Sequence, residues 1–429
     1  MIQKMRINVI GGGLAGSEAA YFLAKSGYEV YLYDQKPELK GAFHSENFGE
    51  LVCSNSLKSN AKDNACGLLK YEIDQLGSLM MEASRDAVIP SGQDLAVDRE
   101  KFSSFITEKI KSNKNIHIIS EEVSSLDEND NTINVIATGP LTSDGLCSYL
   151  KSKYFGELLS FYDAAAPLIF SSSLDKSKMY VKSRYDKGEG KYLNIELNKE
   201  EYDSFVNELK NAKRVTLHDD QHFEGCLPVE VMAERGEGTL RFGPLKPRGL
   251  EKDEASHPYA VVQLRQDDVA GSLYGLVGFQ TNLTYGEQKR VFSLIKGMEN
   301  AKFARFGLMH QNSFICAPTL LNRDLSLKKN KNIYIVGQFS GVEGYVESAA
   351  TGLLAGYYIK QRLEGKEFQP IPLNTMLGSL VNYLIMSSPK HFAPMNATYG
   401  ILQLTSRKDK LTIYEESLKD LKLWQENTF

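Results

Sequence analysis

Two kinds of residue in this 429-residue chain could do chemistry. The first is sulfur. Cys53, Cys66, Cys147, Cys226 and Cys316 are odd in number and form no C-x-x-C pair, so neither a disulfide framework nor a zinc site is expected, no metal is assigned, and free thiols are the default. A free cysteine is more often a small buried hydrophobe than a reactive group. Cys53, however, stands in ELVCSNSLKSN, a loop of small polar residues. The second is a glycine array: Gly11, Gly13 and Gly16 have G-x-G-x-x-G spacing, and Asp34 follows Gly11 by 23 positions. The first glycine of such an array makes a tight turn, the second lets backbone approach a pyrophosphate, and the third lets the helix pack closely, while the acid bonds ribose hydroxyls. The whole run Gly11, Gly12, Gly13, Leu14, Ala15 and Gly16 would then cradle phosphate at a helix N-terminus, where free N–H groups favour negative charge.

The elements that must position these groups are legible in order. RINVI reads as a strand, GGGLAG as the turn, SEAAYFLAKSGY as a helix and EVYLYD as the next strand, the first βαβ unit of a dinucleotide fold. The glycines alone do not separate FAD from NAD, and an S-adenosylmethionine loop is similar. Two later segments point to FAD. Residues 331–356, KNIYIVGQFSGVEGYVESAATGLLAG, read as a strand ending in Gly337-Gln338, a glycine-bearing loop and a small-residue helix. TINVIATGP supplies a short strand and a turn with Thr138 and Gly139. Between these parts the character changes to charged loops and strand-like runs, with no second G-x-G-x-x-G. The expected fold class is α/β: a Rossmann-like FAD-binding domain with a parallel sheet, split into residues 1–165 and 311–429, around an inserted α+β substrate domain, residues 166–310. The segment SLKDLKLWQ is helical in pattern and is expected to cover a domain. With one nucleotide fold, any nicotinamide donor is expected to visit the flavin transiently.

A net charge of −4 gives no bulk reason to bind nucleic acid, so any RNA site must be a local basic patch. No run approaches the roughly 18 to 20 apolar residues a membrane span needs, and the N-terminus enters a strand instead of a signal-peptide core, so a cytoplasmic location without membrane contact is expected.

GGGLAGSEAA, ELVCSNSL, LAVDR, ATGPLTS, SRYDKGE, FEGCLPVEVMAERG, TLRFGPLKP, VGFQTNL, GVEGYVESAA and PMNATYG, in that order along nearly the whole chain, resemble the motif series of the folate- and FAD-dependent RNA uracil-5-methyltransferases, the TrmFO family, related to the GidA-type flavoproteins. The resemblance implies 5-methyluridine formation, with 5,10-methylenetetrahydrofolate giving the carbon and NAD(P)H giving electrons through FAD. Uracil C5 is a poor nucleophile, but a thiolate adding to C6 makes it enolate-like and able to attack an activated methylene. The C5 proton must then leave and a hydride must arrive.

The family's two catalytic cysteines fall on Cys226, implied to be the C6 nucleophile, and Cys53, implied to be its acid–base partner or a guard of the flavin. Tyr345 resembles the aromatic stacked on the isoalloxazine; Gly337 and Gln338 are implied to contact the ribityl and ring edge, and Glu343 and Glu347 to orient folate or a proton. His44 and His310 sit in motif-like stretches and could bond cofactor or substrate. RNA contact is expected from Arg184, Lys187, Arg235, Arg241, Lys246 and Arg248, and the target base must be turned out of its stack. The chain departs from the family at Gln93 and Asp94, at Gln311 in place of arginine, and at Asp34 in place of glutamate. Two RNAs stay open, the tRNA T-loop and 23S ribosomal RNA. No protein partner is required. The alternatives are a GidA-type tRNA-modification flavoprotein, which is longer and needs a partner, and a small-molecule flavin oxidoreductase, which needs no thiols.

Overall fold

The computed structural model describes residues 5–36, 45–186, 192–216, 227–403 and 408–428. Three expected site residues, Cys226, Lys187 and His44, lie outside them.

RINVI forms a strand, Arg6–Ile10, at the centre of a five-stranded sheet. Its neighbours in space are Ile333–Ile335, Thr132–Ile136, Val30–Asp34 and Ile116–Ser120, and every pairing is parallel. Strands covered on both faces need near-continuous apolar sequence, and Ile7, Val9, Ile133, Val135, Ile333 and Ile335 are buried accordingly. Asn8 and Asn134 are polar exceptions, opposite each other in register and joined by a 3.2 Å amide hydrogen bond, with the Asn8 oxygen accepting from Arg6 and the Asn134 amide donating to the Asp127 carbonyl. The glycine helix, Leu14–Lys25, packs against the late helix, Tyr345–Leu363. A methyl at Gly352 would lie 2.0 Å from the Ala15 carbonyl oxygen, so the small residues of ATGLLAG are what let the two helices close on each other.

The chain leaves this core and returns to it through a two-stranded antiparallel ribbon, Leu159–Ala164 with Met309–Phe314. Beyond it a second core forms around a six-stranded antiparallel sheet, in order Tyr180–Val181, Leu193–Leu197, Ala260–Gln266, Leu273–Leu276, Leu168–Phe170 and Phe303–Arg305. The helix Lys199–Lys210 lies on this core and starts in a capping box between Asn198 and Glu201. The architecture is therefore the α/β one with an added antiparallel domain that the sequence implies. The segment SLKDLKLWQ falls within a helix, Lys410–Thr428, whose Trp424 is buried beside Tyr357 and Tyr358. Among the described residues no helix is long and apolar enough to cross a membrane.

Two buried carboxyls tie helices together in the first core. Glu18 accepts from the Ser78 hydroxyl and from the Leu79 and Met80 amides at 3.0 and 2.8 Å; Glu72 accepts from the Met376 and Leu377 amides at 2.7 and 2.8 Å and from Ser417 at 2.5 Å. Burial outweighs these bonds and pushes each carboxyl from 4.5 up to about 7. A carboxyl raised on folding binds more protons in the folded chain, so its contribution is present below pH 4.5 and is lost as pH rises through 7. Between those limits each group is expected to withdraw up to about 3 kcal/mol. The urea midpoint of the native protein should fall over this window, and Glu18→Gln with Glu72→Gln should flatten the fall; an unchanged slope would show that neither carboxyl titrates there.

A nucleotide cleft that ends at a caged cysteine

A cleft runs along the carboxyl ends of the parallel strands. One end is built on Asp34, whose carboxylate accepts from the Gly12 amide at 2.7 Å and the Lys36 amide at 2.9 Å. Gly11 has φ +100°, and a methyl on it would lie 2.6 Å from the Ala137 carbonyl, so only glycine makes this turn. A methyl on Gly16 would lie 1.8 Å from the Gly11 oxygen. Gly13 differs: its missing side chain would meet nothing within 4 Å, and it borders the cleft. The helix it opens has no side-chain cap and no acid in its first turn, so its first amides are left for a ligand in the cleft. Leu14 and Ala15 line the same wall. Thr138, whose hydroxyl shares a 2.6 Å hydrogen bond with Thr142, and Gly139, at φ +63°, form the facing wall.

At the other end stand Gly337, Gln338 and Tyr345. The Gly337 amide donates to Thr351 Oγ1 at 2.9 Å, and the Gln338 amide donates to Glu343. The Tyr345 hydroxyl accepts from the backbone amides of Cys53 and Ser54, at 2.6 and 3.1 Å. This contact spans almost 300 residues of sequence and brings the polar loop of the cysteine to the end of the cleft. The Cys53 carbonyl is gripped from the opposite side by two guanidiniums, Arg99 at 3.1 Å and Arg305 at 3.0 Å. Arg99 also holds the Leu51 carbonyl at 2.9 Å and pairs with Asp267 of the second core at 3.0 Å. Arg265 adds bonds to Asn55 and Ser54 at 2.9 and 3.2 Å. The loop is thus fixed jointly by the FAD-type core and the antiparallel domain.

Burial, reinforced by Asp163 and opposed by Arg99 and Arg305, pushes the Cys53 thiol up to about 12. At neutral pH it rests as the thiol. Burial, reinforced by Asp163, likewise holds the Glu343 carboxyl well above the usual carboxylate range. Glu347 receives the Ala397 amide of PMNATYG at 2.9 Å on one oxygen, with Lys58 3.8 Å away; its other oxygen is buried without a hydrogen-bond partner. Position 310 lies opposite Asp163 across the ribbon, with Gln311 opposite Tyr162. Among the described residues no three His, Cys, Asp or Glu side chains converge to hold a metal ion.

The basic residues divide. Arg184 donates to the Arg248 and Lys246 carbonyls at 2.6 and 3.0 Å, and Arg241 donates to the Tyr259 carbonyl at 2.8 Å with its guanidinium 4.3 Å above that ring. Both guanidiniums therefore stitch loops of the second domain together. Arg235 and Arg248 are exposed and Lys246 is half-buried. Sequence reasoning did not single out Arg99, Arg305 or Asp163, nor Lys36 and Glu50, which close the Asp34 end with a 3.0 Å ion pair. Arg99 and Glu50 carried a signal, as the last residue of LAVDR and the first of ELVCSNSL.

The glucose inhibited division protein A family matches residues 6–367. The methylenetetrahydrofolate–tRNA-(uracil-5-)-methyltransferase TrmFO of Lactobacillus gasseri is 49% identical over 431 residues, which cover 98% of each chain. The protein of the same name from Acetivibrio thermocellus is 49% identical over 429 residues, again 98% of both. Aquifex aeolicus GidA, solved in two crystal forms, shares the fold at 18% identity, with TM-scores of 0.73 and 0.74 over 99% of this chain and 74% and 76% of those.

Proposed function

Because the chain belongs to the glucose inhibited division protein A family, and to the TrmFO members within it, we propose that it methylates C5 of a uridine in tRNA, with 5,10-methylenetetrahydrofolate as carbon donor and FAD, reduced by NADH or NADPH, as hydride source. The observation that carries this reading is the hydrogen bond from the Cys53 amide to Tyr345, which lines the cleft: it holds a cysteine loop beside that end of the cleft, where hydride transfer alone would need no thiol. The names of the similar proteins favour tRNA over ribosomal RNA. Such an activity belongs in the cytoplasm and asks for no protein partner.

The residues fit the cofactor. Asp34 would hold the ribose, Gly11 to Gly16 the pyrophosphate, and Thr138, Gly139, Gly337 and Gln338 the flavin half; once bound, FAD supplies the hydride that turns the methylene into a methyl. Cys226 adds to uracil C6, so that C5 attacks the methylene carbon. The resemblance of FEGCLP carries this assignment, and the described residues on either side of the segment are tied to the second domain. Val215 and Val229 bond to Asn282 and Gln280, on either side of Thr281, and Thr281 packs on Gly307, two residues from the arginine that grips Cys53. Cys53, protonated at rest, serves as the acid–base partner, and Tyr345, Arg99 and Arg305 hold it in register. Arg235, Arg248 and Lys246 meet RNA phosphate, whereas Arg184 and Arg241 shape the loops that present them.

Unmodified tRNA and ribosomal RNA transcripts, each incubated with methylene-labelled folate and NADH or NADPH, test the proposal. Label is expected in tRNA. Label confined to ribosomal RNA would move the substrate, and label in neither would overturn the reading. A second expectation concerns Tyr345→Phe, which removes the acceptor from two half-buried amides at a cost of about 1 kcal/mol or more. Flavin should stay bound while methylation kcat drops about tenfold or more, a 1.4 kcal/mol effect; single-turnover assays with flavin absorbance read both.

A further inference from the structure

We propose that Tyr285, Phe306 and Phe303 form a stacking platform for an unpaired nucleobase beside the target uridine. The proposal rests on the RNA reading above and adds to it a recognition element made of aromatic faces. The three rings make one ladder: Tyr285 and Phe306 have centroids 4.9 Å apart at 18°, and Phe306 and Phe303 are 5.0 Å apart at 15°. Near-parallel rings at this spacing repeat the geometry of stacked bases, and single-stranded nucleic acid is held by such aromatic faces. The inner ring, Phe303, packs against the second core, whereas Tyr285 at the outer end is 53% exposed, with open space beside Gly286. The stack thus ends on a ring open to solvent.

The ladder is held rigidly. Gln288, fully buried on the helix that Tyr285 begins, accepts from the Gly307 amide at 2.7 Å and donates to the Gly307 carbonyl at 2.9 Å, locking the Phe306 loop to that helix. Phe306 directly follows Arg305, whose guanidinium lies 3.0 Å from the Cys53 carbonyl, so one short segment carries both the middle ring of the ladder and a contact to the cysteine loop. Its surroundings suit a polyanion. The nearby acids Glu287 and Glu208 are taken up by Arg290, at 2.7 and 2.5 Å. Exposed Lys213, Lys289 and Lys302 flank the rings: the Lys213 carbonyl accepts from the Thr284 amide, Lys289 sits one helical turn from Tyr285, and Lys302 adjoins Phe303. A turned-out uridine leaves its neighbour without a stacking partner, and the open tyrosine face replaces it.

The test uses the full-length flavoprotein and unmodified tRNA transcript, with Kd measured across a salt series. Tyr285→Ala is expected to weaken binding about 5- to 100-fold with the salt slope unchanged, because it removes stacking and not a phosphate contact. Tyr285→Trp is expected to bind as the native protein does. Lys289→Gln is expected to lower the salt slope by about 1. Native affinity in Tyr285→Ala, or an equal loss in Tyr285→Ala and Tyr285→Trp, would overturn the platform. A native protein that neither binds nor methylates tRNA would instead overturn the functional reading itself.

Discussion

Cys226→Ala is expected to give a yellow protein that transfers no methyl group, with a loss of at least about 10³-fold, as removal of a nucleophile commonly produces. The argument runs through the other sulfurs. With its thiol pushed up to about 12, Cys53 has a thiolate fraction on the order of 10⁻⁴ or less near neutral pH, too little to open attack on C6. Cys66 and Cys147 are raised by burial and lie against the Ala397 and Thr142 carbonyls at 3.8 and 3.7 Å, and Cys316 faces the Pro389 carbonyl at 4.0 Å. These contacts single out no other thiol, and it is the resemblance of FEGCLP to the family motif that implies Cys226 as the nucleophile. Transcripts carrying 5-fluorouridine separate the two roles, because fluorine cannot leave C5 as a proton does. On a denaturing gel Cys53→Ala should keep a covalent protein–RNA band and Cys226→Ala should lose it. A band in Cys226→Ala but not in Cys53→Ala would exchange the assignments.

How far the site could be read from the chain depends on the range over which its parts act. Gly11, Gly13, Gly16 and Asp34 are legible because their spacing lies within one βαβ unit of about 30 residues, where Gly16 closes on the Gly11 oxygen and Asp34 accepts from the Gly12 amide. Gly352 could be read only as a member of a small-residue helix; that its partner is the Ala15 carbonyl follows from packing between distant segments. Arg99 and Arg305 stayed hidden for the same reason. They hold one carbonyl oxygen from positions 46 and 252 residues away, and a single arginine in a strand or helix looks like a solvated surface charge until the loop it grips is in place. Arg184 and Arg241 illustrate the converse. Their motifs are basic, but each guanidinium also bonds loop carbonyls of its own domain, and sequence cannot tell a guanidinium that binds phosphate from one that closes a loop.

Gly13→Val is expected to fold normally and purify colourless. The backbone there is extended, φ −70° and ψ −170°, a conformation β-branched residues accept, and a Cβ would meet no atom within 4 Å. The protein itself therefore loses little. The added methyls would nevertheless occupy the space beside the uncapped amides of the glycine helix, where pyrophosphate must come within hydrogen-bond distance of backbone. Losing that approach should weaken FAD by about 100-fold or more, near 3 kcal/mol. Gly12→Val provides the contrast, because its Cβ would lie 2.4 Å from the Phe48 ring and 2.7 Å from Asp34, so it should lower the urea midpoint as well as the flavin content. The ratio of flavin to protein absorbance, read beside the urea midpoint, distinguishes a blocked cofactor from a damaged fold. If Gly13→Val retained native flavin content at a native midpoint, the pyrophosphate would not cross this glycine, and the cleft from Asp34 to Tyr345 could not be the path along which FAD reaches Cys53.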